Sequence, residues 1–307
     1  MLTLALTTRA ETTERIAAPL AERGIDVRYL PTTGRTIPLD GSALPNTIGD
    51  AHGAIEDERR RNEHDGFAPG PDTEFDVGLV YPSRLTEGGA IDALYGFPWV
   101  NGREAVLTSR NKAGVLATLG EEGIPVPDTV LCSDPVGKGA LEGVFERFDP
   151  PVVVKPNSAT RGIGVTKASD RDSFLGVCDY LDLIHEFPAT GDKSFLVQEY
   201  LADARDYRLM VIEGECVGAV ERRGAGWKHN VHRGAEAVGL SPPDDLARLA
   251  ERVARVLDVP YLGVDLLATE GRTVVTETNA RPTVDDASKY QEGFYDAFAA
   301  LIRATAE

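Results

Sequence analysis

Residues 263–279, GVDLLATEGRTVVTETN, constrain this chain more than any other stretch. Two runs rich in β-branched residues flank a glycine, the pattern of a β-hairpin. A turn centred on Gly271 pairs residue 271 − n with 271 + n and sets Asp265 opposite Glu277. Asn279 lies two positions further on and shares that face. Two carboxylates and an amide oxygen then converge, and the anions repel unless a cation joins them. An all-oxygen donor set suits Mg²⁺ or Mn²⁺. The register holds provided no bulge intervenes. The alternative is a solvent-facing sheet on which these residues hold nothing.

The rest of the composition narrows the classes. A chain of 307 residues has room for a sizeable core and more than one lobe. Its 42% hydrophobic share is that of a folded protein. No apolar run approaches the length of a membrane span, and MLTLAL lacks the length and basic start of a signal peptide, so a cytoplasmic protein without a membrane partner is expected. Cys132, Cys178 and Cys216 have no metal-ligand spacing and read as reduced, buried thiols. The net charge of −17 argues against nucleic acid as a partner. Only seven of the 32 basic residues are lysines, leaving 25 arginines (32 − 7), and none of the seven precedes Lys112. An acidic, lysine-poor surface suggests a halophilic, high-salt cytoplasm. An ordinary acidic protein is the alternative.

Along the chain, LTLALTT, ERIAAPLAERG and IDVRYL read as strand, helix and strand, a βαβ-like opening without G-x-G-x-x-G. Residues 31–74 read as a long, partly mobile surface insertion. The first lobe is expected to end near Val106. One helix is expected across SRNKAGVLATLGEEG, a hairpin around EGE, and a helix over DDLARLAERVARVLDV with Asp244 or Asp245 near its start. A last helix falls near FYDAFAALIRATA. The order is α+β, with antiparallel sheet in the second half.

Several polar positions could serve a nucleotide. Lys155 ends the apolar strand PVVVK and precedes a loop whose Gly162 and Gly164 let the backbone approach a phosphate. Glu199 in VQEYL, with adjacent backbone groups, can read an adenine edge, and Asp206 can accept from ribose hydroxyls. Arg222 or Arg223 could stabilise a phosphoryl group in transfer. Taken singly, each also reads as a solvated surface residue.

Taken in order, RNKAGVLATLGEEGIPVPDT, VVVKPNSATRGIGV, LVQEYL, DYRLMVIEGECVGAVERR, HNVHRGAEA and GVDLL…VVTETNARP resemble the ATP-grasp superfamily, and most of all its RimK-type amino-acid ligases. The resemblance covers roughly residues 76–282. It implies a mixed α+β and α/β ATP-grasp fold. An N-terminal βαβ pre-ATP-grasp domain would occupy residues 1–106, a lid lobe 107–190, and a C-terminal lobe with the metal site 191–307. Lys112 and Lys155 would contact phosphates under the lid loop SATRGIG. Glu199, Tyr200 and Leu201 would hold adenine, Asp206 the ribose, and Lys228 and Asn230 further parts of ATP. Arg222 would face the transferred phosphoryl. Asp265, Glu277 and Asn279 would ligate two Mg²⁺ ions, or Mn²⁺, with Glu277 bridging. Ala235 stands where the family often has a second glycine after HRG. Arg281, Asp285, Asp286 and Lys289 depart from its usual small residues and leave the acceptor open.

The chemistry implied is carboxylate–amine ligation, in which an acylphosphate forms from ATP and an amine displaces phosphate. The protein supplies position and charge, not a nucleophile. Glutamate is the favoured amino acid, the acceptor a small-molecule or protein-tail carboxylate, and a homo-oligomer is compatible. Arg281 is expected to bind a substrate carboxylate, with a salt bridge to Asp285 or Asp286 as the alternative. A small-molecule kinase and a nucleotide-binding regulator without turnover are the competing classes.

Overall fold

The structure, a computed structural model, describes residues 1–8, 11–33, 36–39, 74–159, 162–184, 192–224, 227, 236–290 and 292–307. Most of the expected insertion at 31–74 lies outside the described residues. By contacts the chain forms two units: residues 1–106, 281–288 and 292–307, and residues 107–280 and 289–291.

The first unit holds a parallel sheet. Strands β1 (Leu2–Leu6), β2 (Ile25–Tyr29), β3 (Val77–Val80) and β4 (Trp99–Asn101) stand in the order β2-β1-β3-β4. Helix α1 (Glu11–Ala21) crosses from β1 to β2, and α2 (Leu85–Tyr95) from β3 to β4. This agrees with the expected βαβ opening. The core includes Ala5, Leu30, Ile91 and Phe97, with Phe75 and Trp99 packed on it. At Gly78 the Trp99 ring comes so close that a Cβ would sit 2.2 Å from it.

The second unit begins within α3 (Arg103–Arg110) and continues into α4 (Lys112–Glu121). One helix was expected here. It is broken at Asn111, whose side chain accepts from Gly114 N at 3.0 Å and so caps the start of α4. Strands β5 (Thr129–Cys132), β6 (Val152–Pro156), β7 (Thr166–Ala168) and β8 (Phe195–Glu199) form an antiparallel sheet in the order β5-β8-β6-β7. Helices α5 (Lys138–Arg147) and α6 (Arg171–Ile184) bury one face of it around Val152, Val154, Phe145, Phe174, Phe195 and Val197. Strand residues of opposite parity, among them Lys155 and Gln198, therefore occupy the other face.

The third sheet orders β9 (Arg205–Ile212), β10 (Glu215–Arg223), β11 (Glu236–Leu240), β12 (Tyr261–Ala268) and β13 (Thr273–Asn279) as β11-β10-β9-β12-β13. The β9–β10 hairpin turns through Glu213 and Gly214, both at positive φ, as expected around EGE. Helix α7 (Asp244–Leu257) packs on this sheet. Its N-cap is Pro243 and lacks a side-chain cap; Asp244 and Asp245 sit in the first turn, where the helix dipole favours acids. Helix α8 (Phe294–Ala306) buries Phe294, Phe298, Leu301 and Ile302, and packs against β3, β4 and α1. The sequence had grouped residues 281–307 with the C-terminal lobe; most of them gather in the first unit because this apolar face is buried there.

The cysteines are free, Cys132 and Cys178 buried and Cys216 partly so. Burial pushes their thiols up to about 11, 12 and 11 respectively, which keeps them protonated and unreactive. Among the described residues no helix is long and apolar enough to cross a membrane.

Gly78→Ala is expected to destabilise the protein by roughly 1–3 kcal/mol, because the Trp99 ring must shift. Urea denaturation followed by Trp fluorescence checks this, and an unchanged midpoint contradicts the packing described.

Candidate active site

The site is built where β9, β12 and β13 run side by side. Asp265 pairs with Glu277 on one flank and with Arg208 on the other, so the three side chains form a row across three strands. The expected pairing of Asp265 with Glu277 is present, but not by the expected route. The hairpin starts as Ala268↔Thr273, Leu267↔Val274 and Leu266↔Val275, one residue short of symmetry about Gly271. That register alone would set Thr276 opposite Asp265 and turn Glu277 to the other face. A bulge follows between Leu266 and Asp265, and it brings Glu277 back onto the face of Asp265. A bulge had been expected to spoil the pairing; here it creates it. Thr276, the extra residue, donates its hydroxyl to Asp265 O at 3.2 Å. Its carbonyl accepts from Lys155 Nζ at 3.3 Å.

Asp265 is 5% exposed and held by two arginines. Arg208 Nε and Nη2 donate to its two oxygens at 2.7 Å each, and Arg222 Nη1 donates to Oδ2 at 3.3 Å. Burial alone would raise its pKa, but Arg208 and Arg222 overcome this and hold it at about 2. Burial alone would lower the pKa of Arg208; Asp265 overcomes this and raises it. Arg222 also donates to Asp206 Oδ1 through Nε at 2.9 Å and Nη2 at 2.5 Å. Asp206 nonetheless titrates at about 6, because burial outweighs Arg222 and the nearby Asp265 charge adds to it. Asp206, expected at the ribose, is therefore bound to Arg222. Arg208 was not singled out from the sequence, although it alternates with Asp206 on one strand in RDYR; its role depends on the β9–β12 pairing.

Lys112 pairs with Glu277, and Lys155 is held at the neighbouring Thr276 carbonyl. Lys112 Nζ lies 3.2 Å from Glu277 Oε1 and donates to Ala159 O at 2.5 Å. Lys155 is buried at the end of β6. Burial depresses its pKa to about 8, with Glu277 and Asp265 opposing and Lys112 reinforcing the fall. The loop after β6 is tied down at its first residues. Asn157 Oδ1 accepts from Ala113 N at 2.9 Å, and Ser158 Oγ donates to Asp192 at 2.5 Å. Gly162 and Gly164 both have positive φ, and Gly164 runs so close to Pro156 that a Cβ would lie 2.7 Å from it. Ser109 brackets Asn279: its hydroxyl meets Thr278 Oγ1 at 3.4 Å and accepts from Ala280 N at 2.8 Å.

Other expected residues stand elsewhere. The Glu199 carboxylate accepts from Asp128 N at 2.7 Å and pairs with Arg272, so it is not turned toward a base. Tyr200 and the half-buried Leu201 follow it. Lys228 and Asn230 lie outside the described residues. Arg281 belongs to the first unit, where Nη1 donates to Thr8 Oγ1 at 3.0 Å and Nη2 to Tyr81 O at 2.6 Å. Further bonds reach Thr7 Oγ1 and Val80 O. Its guanidinium ties the C-terminal segment to the ends of β1 and β3. Asp285 lies 3.6 Å from Arg15 Nη1.

Among the described residues no three His, Cys, Asp or Glu side chains gather as a metal cluster. The candidate set has two carboxylates and an amide, all hard oxygen donors on one face. Asp265 Oδ1 keeps a lone pair beyond its bond to Arg208, whereas Arg208 and Arg222 use both of those on Oδ2. The residues fit a hard divalent cation, and Lys112 and Lys155 beside Glu277 fit the phosphates it would accompany.

A family model described as RimK-like ATP-grasp domain matches residues 109–303. A probable alpha-L-glutamate ligase of Klebsiella pneumoniae (strain 342) is 30% identical over 190 residues, 61% of this chain and 60% of that protein. The ribosomal protein bS6–L-glutamate ligase of Escherichia coli O139:H28 is 30% identical over 194 residues, 62% of each chain. The chain thus spans about three-fifths of the length of these curated relatives. Among solved structures, a RimK domain ATP-grasp protein of Sphaerobacter thermophilus aligns with a TM-score of 0.64 at 19% identity, over 99% of both chains. D-cycloserine synthetase DcsG aligns at 0.70 and 15% identity, over 100% of this chain and 99% of that one. These likenesses show the fold.

Asp265→Asn is expected to cost on the order of 3 kcal/mol of stability at pH 7, because it leaves two arginines buried around a neutral amide. Arg208→Met in that background should recover part of the loss. The sign with pH follows from the depressed carboxyl. Its contribution is full above about pH 4 and is lost as pH falls toward 2. Denaturation of both proteins in EDTA should show the gap closing over that window; a gap constant with pH contradicts the charge pairing.

Proposed function

Because the chain belongs to the RimK-like ATP-grasp family, we propose that it joins a carboxylate to the amine of an amino acid at the expense of ATP. The observation that carries this reading is the row Arg208–Asp265–Glu277, with Lys112 paired to Glu277 and the buried Lys155 bound to the adjoining Thr276 carbonyl. Anionic oxygens and buried ammonium groups side by side suit a triphosphate with its divalent cation and little else.

Asp265, Glu277 and Asn279 would hold Mg²⁺, as two ions, or Mn²⁺, which when bound supplies charge neutralisation between phosphate oxygens. Lys112 and Lys155, beside that set, would neutralise phosphates. Gly162 and Gly164 would let the backbone offer N–H groups to those phosphates. Arg222 stands ready for the transferred group, and its other bond, to Asp206, sets its direction. No nucleophile of the protein is needed. The substrate carboxylate takes the γ-phosphoryl, giving an acylphosphate and ADP, and the amine displaces phosphate to leave an amide. Water exclusion by the loop protects the acylphosphate.

Glutamate and a protein-tail acceptor are the favoured pair, because relatives are named as glutamate ligases, one of them for a ribosomal protein. Use of ATP supports a cytoplasmic place of work. The acidic surface suits a high-salt one, where screening weakens self-repulsion at −17.

ADP release is expected to require a divalent cation, a carboxylic acid and an amino acid together. EDTA should abolish it and Mg²⁺ restore it. Hydroxylamine replacing the amine should give a hydroxamate from the trapped acylphosphate. ADP release without amine, with a stable phosphorylated acid, would mean a kinase. Nucleotide binding without ADP release under any acid–amine combination would mean a regulator.

A further inference from the structure

One buried amide ties together the two chain segments that carry Lys112 and Lys155. Lys155 lies near the end of β6, and Asn157, 7% exposed, follows it by two residues. Asn157 Oδ1 accepts from Ala113 N at 2.9 Å, and its Nδ2 donates to Asn111 Oδ1 at 3.1 Å. Residues 111 and 113 flank Lys112, so a single side chain grips the start of α4 on both sides of that lysine. The second Nδ2 hydrogen goes to Asp192 Oδ2 at 3.3 Å. A carboxylate only accepts, so Asp192 fixes the amide with its oxygen toward Ala113 N. The hydroxyls of Ser158 and Ser194 hold Asp192 in turn, at 2.5 Å each, and Asn157 N donates to Ser194 O at 3.0 Å. Lys112 Nζ closes the ring by donating to Ala159 O at 2.5 Å. Gly114 leaves room for this arrangement, since a Cβ there would lie 2.6 Å from Asn111 Nδ2.

We propose that Asn157 is a positioning residue that sets the spacing between Lys112 and Lys155, an inference that rests on the nucleotide reading above. The two ammonium groups repel each other, so their spacing must be imposed by the segments that bear them. A lysine has a long, flexible stem and is aimed by its backbone and by what its Nζ meets. Asn157 fixes the backbone on either side of Lys112, and Ala159 O meets the Nζ. An amide suits this place and a carboxylate does not, because Oδ1 must accept from an N–H while Nδ2 faces two acceptors. The ligand chemistry served is a polyphosphate, whose anionic oxygens two ammonium groups at a fixed spacing bind together with little left to reorganise. A nucleoside without phosphates gains nothing from that spacing.

Calorimetry with Mg²⁺ and tripolyphosphate, ADP or adenosine tests the assignment. Asn157→Asp keeps the size of the side chain but turns an oxygen toward Asp192 and Asn111. It should weaken tripolyphosphate and ADP about tenfold and leave adenosine unaltered. Adding Asp192→Asn returns a donor to that contact and should recover part of the loss. Gly114→Ala favours the helix by intrinsic propensity but crowds Asn111, and it should nonetheless weaken the same two ligands. The proposal is overturned if Asn157→Asp and Gly114→Ala both bind tripolyphosphate and ADP as the wild type does. It is also overturned if adenosine weakens in proportion, or if Asp192→Asn recovers nothing, since either marks a general structural role. Failure of the wild-type protein to bind ADP or ATP overturns the nucleotide reading itself, and the role of Asn157 with it.

Discussion

The bidentate pair between Arg208 and Asp265 is the interaction around which the site is organised. A buried ion pair of this kind adds little net stability, because desolvating both charges offsets their attraction. Its consequence is directional. Arg208 fixes both Asp265 oxygens, Arg222 reaches the same carboxylate and then Asp206, and each side chain gets its orientation from the next. The sheet order that sets β9 between β10 and β12 makes the chain of contacts possible. A rigid set of charges at fixed spacing is what the proposed phosphoryl chemistry would need, since no covalent step would fall to the protein.

The bulge at Thr276 is the second constraint, and it shows how local irregularity serves function. One extra residue changes the parity of β13, so Glu277 shares a face with Asp265 and a backbone carbonyl turns to Lys155. A regular hairpin of the same sequence would have hidden one carboxylate from the other.

Much of this was legible in the sequence because it depends on short-range pattern. Alternation gave the face shared by Glu277 and Asn279, and the end of an apolar strand gave Lys155; Asp265 joins that face through the bulge at Thr276, not through the symmetric turn the sequence suggests. What was not legible depends on contacts between segments far apart in the chain. Arg208 becomes a site residue only when β9 lies beside β12. Glu199 is turned aside by Arg272, 73 residues away. Arg281, two residues past Asn279, binds the ends of β1 and β3, a contact that depends on segments about 200 or more residues away. Asn111 splits one helical pattern in two because a side-chain cap competes with helix continuation, a choice that periodicity alone does not register.

The charge arithmetic closes the argument. The whole chain carries −17, which would repel a polyanionic substrate. Within the site, Lys112, Lys155, Arg208 and Arg222 face Asp206, Asp265 and Glu277, four cations against three anions. Two of those anions are the carboxylates that a divalent cation would share, so loading the metal would raise the local positive charge. An acidic protein can therefore hold a triphosphate only where its own cations are concentrated and buried, and where its carboxylates work through a metal. The lysine-poor surface sharpens the contrast: of seven lysines in the chain, two lie buried beside one glutamate. Burial makes such charges costly to the fold, and their position beside Glu277 makes them useful to a bound phosphate.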